Sequence, residues 1–413
     1  MLATVPVPPK RLEDYLDAAG EEAVERLREA ARPLAGARLL MVNSTAFGGG
    51  VAELLFTHVA LLQDLGIDTT WAVLEGSDDY YAVTKAVHNA LQGAQVDWTT
   101  RMESIYRERI RANAAELTEH FDFVFIHDPQ PAGVITILEE EGRRKGRWVW
   151  RCHIDLSTPV EPVWAFFEPI VNRFDAAIFT MEAFAQPGVI APRLAFVPPS
   201  IDPLSTKNAP LNEETVVEVL GAYGVDPARP IISQVSRFDP WKDPLGVIDA
   251  FRLTREEFPG IQLVMAGSLA SDDPEGMGFL DLTEAHRDGD PDIHLFTNMQ
   301  NVGNLEVNAF QRASDVVVQK STREGFGLVV AEAMRKGKPV VGGNAGGITL
   351  QIEDGISGYL VDSVEDCAAR IADLLRDRDL RARMGEAGRE RVGERFLSPR
   401  ELEDYLRLLS QVA

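Results

Sequence analysis

Cysteine is nearly absent from this sequence of 413 residues, in which only Cys152 and Cys367 occur. Two cysteines cannot build a disulfide framework, and they exclude a zinc site made mainly of cysteine. Uninterrupted apolar stretches of roughly 20 residues, the length that spans a membrane, are also missing. The first nine residues lack the apolar centre of a signal peptide. We therefore expect a cytoplasmic protein that has no membrane partner.

Basic residues are in the minority: 41 Lys and Arg stand against 64 Asp and Glu, which gives a formal charge of −23. Such a charge repels nucleic acid and anionic lipid at long range, so we expect no nucleic-acid partner. An acidic protein that binds an anionic small molecule must concentrate a few cations at one place. Isolated Arg and Lys residues beside glycines are therefore the candidates for a binding site.

Histidine is scarce as well, with seven in the chain. Two of them, His127 and His153, follow segments that we predict to be strands. A zinc or hydrolytic site would need a third ligand or a nucleophile beside the histidine, and neither HExxH nor GxSxG spacing is present. We predict no metal site.

The chain is long enough for two domains, and its 45% share of hydrophobic residues can fill two cores. Short buried strands alternate with helical segments, which predicts an α/β fold of two doubly wound, Rossmann-like halves. The predicted strands cover residues 38–43, 70–74, 121–127, 147–153 and 176–180, then 230–235, 261–266, 294–296, 316–319 and 339–342. We place the first domain at 1–205 with a helical lead-in at 1–35, and the second at 206–398. The last segment, 399–413, is predicted to be a helix that crosses back to the first domain.

A glycine loop, Gly48, Gly49 and Gly50, separates the first of these strands from a helix. Glycines let a ligand approach the backbone, and a helix N-terminus offers unpaired N–H groups that suit phosphate. The loop has neither the Lys of a P-loop nor the spacing of the dinucleotide motif GxGxxG, so a purely structural turn stays open.

Two cations, Arg237 and Lys242, follow the first strand of the second half. Open α/β sheets bind ligands at this end of their strands. Arg offers a bidentate fork and Lys a mobile point charge, so the two are candidates for neutralising a diphosphate. The alternative is a solvated loop in which Arg237 and Lys242 pair with Asp239 and Asp243.

Two carboxylates frame a second glycine turn: Glu324 precedes the turn, and Glu332 lies within the helix that follows it. Eight helical residues span at most about 12 Å, which is too far for both carboxylates to hold one metal. They can instead accept hydrogen bonds from two separate sets of hydroxyls on an extended nucleotide sugar, with its diphosphate between them. The alternative is a capping Glu and a surface Glu.

Together these residues resemble the retaining glycosyltransferases of family 4, which have the GT-B fold of two Rossmann-like domains facing a central cleft. The segment from Glu324 to Glu332 fits that family's E-x7-E motif, including the inner Gly-Phe-Gly, and Arg237 and Lys242 fit its diphosphate-binding pair. The glycine loop and His153 also agree. The resemblance covers nearly the whole chain and implies a nucleotide-sugar donor.

Within that family, residues 43–53, 127–130 and 150–157 resemble the trehalose glycosyltransferring synthases. This resemblance implies transfer of glucose from ADP- or UDP-glucose to free glucose, giving α,α-trehalose and a nucleoside diphosphate. Related retaining trehalose phosphorylases share similar segments and use phosphate in place of the nucleoside diphosphate. A family 4 transferase with another acceptor also stays open. A non-catalytic sugar-nucleotide sensor would more readily have lost Glu324, Arg237 or Lys242.

The resemblance also implies roles for single residues. The catalytic set is His153, Arg237, Lys242 and Glu324; the donor set is Gly49, Gly50, Arg237, Lys242, Glu324, Gly325, Phe326, Gly327 and Glu332; the acceptor set is Asn43, Asp128, His153 and Asp155. Glu324 is expected to bind the donor glucose and Glu332 the ribose. No cofactor is required, and both weak stimulation by Mg²⁺ and a homodimeric assembly are left open.

Overall fold

The computed structural model of the protein describes residues 2–47, 49–268 and 274–413. The chain divides into two compact units, Met1–Ser200 with Ser398–Ala413, and Ile201–Leu397. The boundary thus lies between Ser200 and Ile201. The sequence analysis placed it a few residues later, near residue 205. No helix in the described part of the chain has the length and apolar character needed to cross a membrane.

Unit 1 is built on a seven-stranded sheet in the order β1-β3-β2-β4-β5-β6-β7. Its strands are β1 (Ala3–Thr4), β2 (Arg38–Asn43), β3 (Asp68–Val73), β4 (Phe123–His127), β5 (Arg147–Arg151), β6 (Ala176–Phe179) and β7 (Arg193–Phe196). Strands β2 to β7 pair in parallel, as predicted. The short strand β1 is the exception, because it pairs antiparallel with β3.

The helices of unit 1 are α1 (Leu16–Ala19), α2 (Glu21–Ala31), α3 (Gly50–Asp64), α4 (Asp78–Leu91), α5 (Thr100–Glu116), α6 (Val134–Glu140), α7 (Glu161–Val171) and α16 (Ser398–Val412). The helical lead-in consists of short pieces, because two 3₁₀ helices, Leu12–Tyr15 and Arg32–Leu34, flank α1 and α2. Gly20 ends α1 with a φ of 85°, a left-handed conformation that favours glycine.

Helices cover both faces of the unit 1 sheet, because alternate side chains of each strand enter different layers. Leu40 and Val42 pack with residues of α4 to α7, whereas Leu39 and Met41 pack with α2, α3 and α16. The last helix is therefore an integral part of unit 1. It buries four leucines, Leu402, Leu406, Leu408 and Leu409, and each contributes about 1.5–3 kcal/mol by leaving water.

Unit 2 is built on a six-stranded sheet in the order β10-β9-β8-β11-β12-β13, and all its pairings are parallel. The strands are β8 (Ile231–Val235), β9 (Gln262–Gly267), β10 (Ile293–Thr297), β11 (Val316–Gln319), β12 (Val340–Gly343) and β13 (Tyr359–Val361). The helices are α8 (Glu213–Ala222), α9 (Pro244–Glu257), α10 (Pro274–Arg287), α11 (Asn304–Ala313), α12 (Leu328–Arg335), α13 (Ile348–Gln351), α14 (Val364–Arg376) and α15 (Arg378–Arg395). Counted within the unit, the order is 3-2-1-4-5-6, that of the Rossmann fold.

Each sheet has a point at which the strand order reverses, and ligands of open α/β sheets bind there, beyond the carboxyl ends of the strands. In unit 1 that point lies between β2 and β4, and in unit 2 it lies between β8 and β11. The fold therefore directs attention to the loops that follow these four strands.

Candidate active site

The loop after β2 leads into α3. Gly49 is the residue before the helix and is extended, with φ −151° and ψ 159°, and Gly50 is the first helical residue. No described atom lies within 4 Å of the position that a Cβ would occupy at Gly49. The backbone at the start of α3 is thus open to a ligand. Gly48 lies outside the described residues.

Asn43 ends β2 and holds this loop in place. Its Nδ2 donates to the Thr45 carbonyl at 2.7 Å, and its Oδ1 accepts from Trp71 Nε1 at 2.8 Å. The side chain is 3% exposed. These bonds give Asn43 a structural task at the position that the sequence analysis assigned to the acceptor.

His127 and His153 form a pair at the ends of adjacent strands. His127 lies opposite Arg151 in the β4–β5 register, which brings the residue after each strand to the same edge. His127 Nδ1 is 2.9 Å from His153 Nε2, and the two rings are stacked at an interplanar angle of 18°. Burial, with the nearby Arg151 charge, lowers the pKa of His127 to about 3 and holds the pKa of His153 well below its usual range. Both rings are therefore neutral near pH 7.

Asp128 follows β4 in a left-handed conformation with a φ of 65°, which a short polar side chain tolerates. Its Oδ1 accepts a hydrogen bond from the His153 backbone N–H at 2.7 Å. Burial raises the pKa of its carboxyl to about 6, against the opposing effects of that hydrogen bond and of Arg151. Asp128 thus fixes the backbone of the residue whose ring contacts His127.

Asp155 is the remaining predicted acceptor residue. It is 5% exposed. Its Oδ1 accepts from both the N–H and the hydroxyl of Ser157, at 3.0 and 2.5 Å. The carboxylate therefore shapes the turn after His153. In unit 1 the structure brings His127, Asp128 and His153 into direct contact. Asn43 binds Thr45 and Trp71 instead, and Asp155 binds Ser157.

In unit 2, the loops after β8 and β11 meet through an ion pair. Lys242, at the end of a 3₁₀ helix (Pro240–Lys242), places its Nζ 2.6 Å from Glu324 Oε2. The same carboxylate oxygen accepts from Ser321 Oγ at 3.1 Å, and the Glu324 side chain is 10% exposed. Residues 82 positions apart in the sequence are thus joined at the switch point.

Arg237 is more exposed and pairs with Asp239, with 3.2 Å between Arg237 NH2 and Asp239 Oδ2. Asp243 pairs with a different cation, Lys320, which is mostly buried. The Arg237–Asp239 pair is the one expected of a solvated loop, whereas Lys242 reaches Glu324 instead of Asp243. This loop and the loop after β11 thus contain three pairs of a cation with a carboxylate, and a fourth cation, Arg323, lies over the Trp241 ring.

The glycine turn before α12 is tightly packed. Gly327 precedes the helix with a φ of 82°, and a Cβ there would lie 3.1 Å from Glu324 Cγ. Gly347 passes so close to this turn that a Cβ on it would lie 2.4 Å from Phe326 Cα. The carbonyl oxygens of Phe326 and Gly327 accept from Gln351 Nε2 at 2.5 and 3.2 Å. The turn holds Gly325, Phe326 and Gly327 in one conformation beside Glu324.

Glu332 lies on α12 and is fully buried, so the interpretation of a surface Glu is wrong. Its Oε1 is 3.4 Å from Lys207 Nζ, and its Oε2 accepts from Gln311 Nε2 at 3.5 Å. Lys336 binds the other side of Gln311, with 2.7 Å between Nζ and Oε1. A buried carboxylate needs such partners, because an unpaired charge is expensive to remove from water.

Three partners were missed in the sequence analysis: the ring contact of His127 and the cations Lys207 and Lys320. A signal existed for His127, because it ends a strand adjacent to the one that leads to His153. Lys207 and Lys320 lie in no motif. Within residues 2–47, 49–268 and 274–413, no three His, Cys, Asp or Glu side chains are grouped so that they could hold a metal ion.

Comparisons with known proteins find relatives over both halves of the chain. Residues 41–186 match the family model of the trehalose synthase N-terminal domain, and residues 221–391 match glycosyl transferases group 1. A trehalose synthase from Rubrobacter xylanophilus is 48% identical over 406 residues, which cover 98% of this chain and 97% of the relative. A trehalose phosphorylase from Pleurotus pulmonarius is 29% identical over 433 residues, 93% of this chain and 58% of the relative.

Among solved structures, one described as "Trehalose-6-phosphate from E. coli bound with UDP-2-fluoro glucose" is similar to this chain, with a TM-score of 0.75. The match has 17% sequence identity and covers 91% of this chain and 100% of that chain. At this identity the likeness shows the fold, which is GT-B. The matches over both halves and the near full-length identity to a trehalose synthase show more: the chain belongs to the trehalose synthase family of glycosyltransferases.

Proposed function

We propose that the protein transfers glucose from a nucleoside-diphosphate glucose to free glucose, giving α,α-trehalose and the nucleoside diphosphate. The observation that carries the proposal is the contact of Lys242 with Glu324 at the switch point of unit 2. A cation that can neutralise a diphosphate lies there beside a carboxylate that can accept hydrogen bonds from sugar hydroxyls. The 48% identity to a trehalose synthase supports trehalose as the product.

In the proposed reaction, the bond between C1 of the donor glucose and its phosphate oxygen breaks. The electron pair leaves with the diphosphate, whose charge Lys242 and Arg237 stabilise. C1 bonds to the anomeric hydroxyl oxygen of the acceptor glucose, and the proton of that hydroxyl passes to the departing phosphate. Because the acceptor enters on the face from which the phosphate leaves, the configuration is retained without a carboxylate nucleophile.

The remaining donor contacts follow from the same assignment. Glu324 accepts hydrogen bonds from donor glucose hydroxyls, and Glu332 accepts them from the ribose. The backbone N–H groups of Gly325, Phe326 and Gly327 add to the stabilisation of the leaving group. The family resemblance assigns Gly49 and Gly50 of unit 1 to the donor set as well, because a helix start such as that of α3 can bind phosphate.

The acceptor contacts are assigned to unit 1. Asp128 and His153 would bind the hydroxyls of the glucose acceptor, because a carboxylate accepts and a neutral imidazole can donate or accept a hydrogen bond. Asn43 and Asp155, which are held in place by their hydrogen bonds, would form the boundary of that site. The cationic side chains of unit 2 give the diphosphate its countercharge, so we propose activity without a resident metal ion.

One experiment tests this function. The purified protein is incubated with glucose and ADP-glucose, UDP-glucose or glucose 1-phosphate, and the products are separated by chromatography. Trehalose together with ADP or UDP supports the proposal and identifies the base. The Glu324→Gln variant serves as the control for contaminating activity. No disaccharide from any donor would contradict the proposal.

A phosphorylase is the second candidate, because a trehalose phosphorylase matches 93% of this chain at 29% identity. In that reaction inorganic phosphate replaces the nucleoside diphosphate as the leaving group. The same assay separates the two candidates, since only a phosphorylase forms trehalose and phosphate from glucose 1-phosphate and glucose. A nucleoside diphosphate product excludes it.

A further inference from the structure

A buried charged cluster lies beneath the histidine pair of unit 1 and joins the last helix to the sheet. Arg151, the last residue of β5, is fully buried, as is Glu401 of α16. Tyr405 of α16 connects them: Arg151 Nε donates to the Tyr405 hydroxyl at 3.0 Å, and that hydroxyl donates to Glu401 Oε1 at 2.7 Å. We call Arg151, Glu401, Tyr405 and His58 the buried cluster.

The other contacts of the buried cluster reach three further parts of unit 1. Glu401 Oε2 accepts from Ser200 Oγ at 2.6 Å and lies 3.4 Å from His58 Nε2 on α3. Arg151 NH2 donates to the Val197 carbonyl at 2.7 Å. Burial alone would raise the pKa of Glu401, but His58 and Arg151 outweigh it and lower the pKa to about 2. The carboxylate is therefore ionised, and α16 carries a fixed negative charge into the core.

Stability alone does not account for this charge. A buried ion pair is often no more stabilising than apolar residues of the same volume, because removing both charges from water is costly. The last helix already packs through Leu402, Leu406 and Leu409. Outside the buried cluster, Glu403 ties the same helix to α2 through Arg26, with 3.1 Å between Glu403 Oε2 and Arg26 Nε. The buried cluster therefore has a role other than attaching the helix.

The position of the buried cluster indicates that role. Arg151 lies opposite His127 in the β4–β5 register and two residues before His153. The Phe125 ring lies between the Tyr405 and His127 rings, with centroid distances of 5.1 and 5.9 Å. The charges that act on His127 come from β5 (Arg151), α3 (His58) and α16 (Glu401), and Glu401 opposes the other two. The buried cluster is thus linked to His127 through the register of β4 and β5 and through the Phe125 ring.

We propose that Glu401, acting through Tyr405 and Arg151, is a positioning residue that holds His127, and through it His153, in the neutral hydrogen-bonded pair that receives the acceptor sugar. One hydrogen lies between His127 Nδ1 and His153 Nε2, so the pair needs a fixed tautomer, and Nδ1 is the remaining ring nitrogen of His153. This inference rests on the proposed function where it places His153 beside the acceptor. It makes the last helix part of the acceptor site.

The test compares Glu401→Gln and Tyr405→Phe with Glu403→Gln. The first two variants change residues of the buried cluster. The third removes a mostly buried carboxylate from the same helix and breaks the ion pairs of Glu403 with Arg26 and Arg407. We expect the KM for glucose to rise roughly tenfold in Glu401→Gln and less in Tyr405→Phe, the scale of losing one buried hydrogen bond. The KM for the nucleotide sugar and all constants of Glu403→Gln stay near those of the wild type.

The ring nitrogens of His127 and His153 give a second readout by ¹⁵N NMR, which does not depend on turnover. We expect their tautomer-sensitive shifts to change in Glu401→Gln and Tyr405→Phe and to stay unchanged in Glu403→Gln. If Glu401→Gln does not fold, the KM for glucose and the ring-nitrogen shifts of Tyr405→Phe, which lacks one oxygen atom, test the inference by themselves.

Two results would overturn the inference: a glucose KM no higher in the cluster variants than in Glu403→Gln, or ring-nitrogen shifts that do not respond. If the wild type makes no trehalose, the proposed function fails, and the NMR comparison alone then decides whether the cluster positions the pair.

Discussion

The two candidate sites occupy equivalent places in their sheets but differ in charge. In unit 1, His127 and His153 are neutral, and burial raises the pKa of Asp128 to about 6. In unit 2, the loops after β8 and β11 carry ion pairs, of which Lys242 with Glu324 is the most central. A site of neutral imidazoles beside a carboxyl group suits a neutral sugar, and a site that contains several cations suits an anionic diphosphate. This difference supports the assignment of the acceptor to unit 1 and the donor to unit 2.

The ion pairs of unit 2 have a consequence for donor binding. In the free protein Lys242 is already neutralised by Glu324, and Arg237 by Asp239. A bound diphosphate would take over the cations, and sugar hydroxyls would take over Glu324. Binding is then an exchange of partners, which makes the site selective for ligands that carry both groups.

The largest expected effect comes from breaking the central ion pair of unit 2. We expect Lys242→Ala and Glu324→Gln each to lower the turnover rate at least about 100-fold, the scale of removing one electrostatic stabiliser from an active site. Initial rates of nucleoside diphosphate release measure it. Arg376→Gln is the matched control, because it removes an exposed cation of the same unit that pairs with Glu257. Near-normal turnover in both variants would contradict the roles given to Lys242 and Glu324.

A smaller effect concerns the buried carboxyl of unit 1. Because burial raises the pKa of Asp128 to about 6, its stabilising contribution is complete below the ordinary value near 3.8 and is lost as the pH rises through 6. We expect the free energy of unfolding of the wild type, relative to Asp128→Asn, to fall by about 2 kcal/mol between pH values of about 4.5 and 7.5.

Urea denaturation of both proteins at the two pH values measures this change. The Asn side chain can still accept the hydrogen bond from the His153 N–H, so the comparison isolates the charge. A stability difference that does not vary with pH would show that Asp128 titrates normally. The raised pKa of Asp128 would then no longer distinguish the unit 1 site from the unit 2 site.

The smallest effect separates backbone strain from donor binding in unit 2. Gly327 and Gly337 both have positive φ, 82° and 71°, but only a Cβ at Gly327 would contact Glu324. We expect Gly327→Ala and Gly337→Ala each to cost about 1 kcal/mol of stability. Only Gly327→Ala should weaken nucleoside diphosphate binding in a calorimetric titration. Equal binding by the two variants would mean that the turn does not set the position of Glu324.

The sequence predicted the central strands well because each is a short apolar run that ends in a polar residue. The predicted bounds of 38–43 and 316–319 agree with β2 and β11. Strand β7 was missed because its apolar run at 194–197 is short and lies between prolines, and three of the four residues of the strand are exposed. Strand β13 has three residues, and only Val361 is buried. Edge strands of this kind leave no periodic signal.

Contacts within the sites were predictable only where strand ends bring residues together. Lys242 and Glu324 follow strands on the two sides of one switch point, so a common ligand could be inferred before their contact was seen. The pairing of Glu332 with Lys207 joins a helix to a loop at the beginning of unit 2, far apart in the sequence. No motif or spacing connects them, and only the packing of α12 brings them together.

The salt dependence of the two KM values tests the assignment of charge most directly. Both constants are measured for the wild type between about 0.05 and 0.5 M NaCl, a range over which the screening length falls roughly threefold. The account predicts that the KM for the nucleotide sugar rises several-fold with salt, while the KM for glucose stays nearly constant. If the two KM values respond to salt alike, the contrast between a cationic donor site and an acceptor site built around neutral histidines is contradicted.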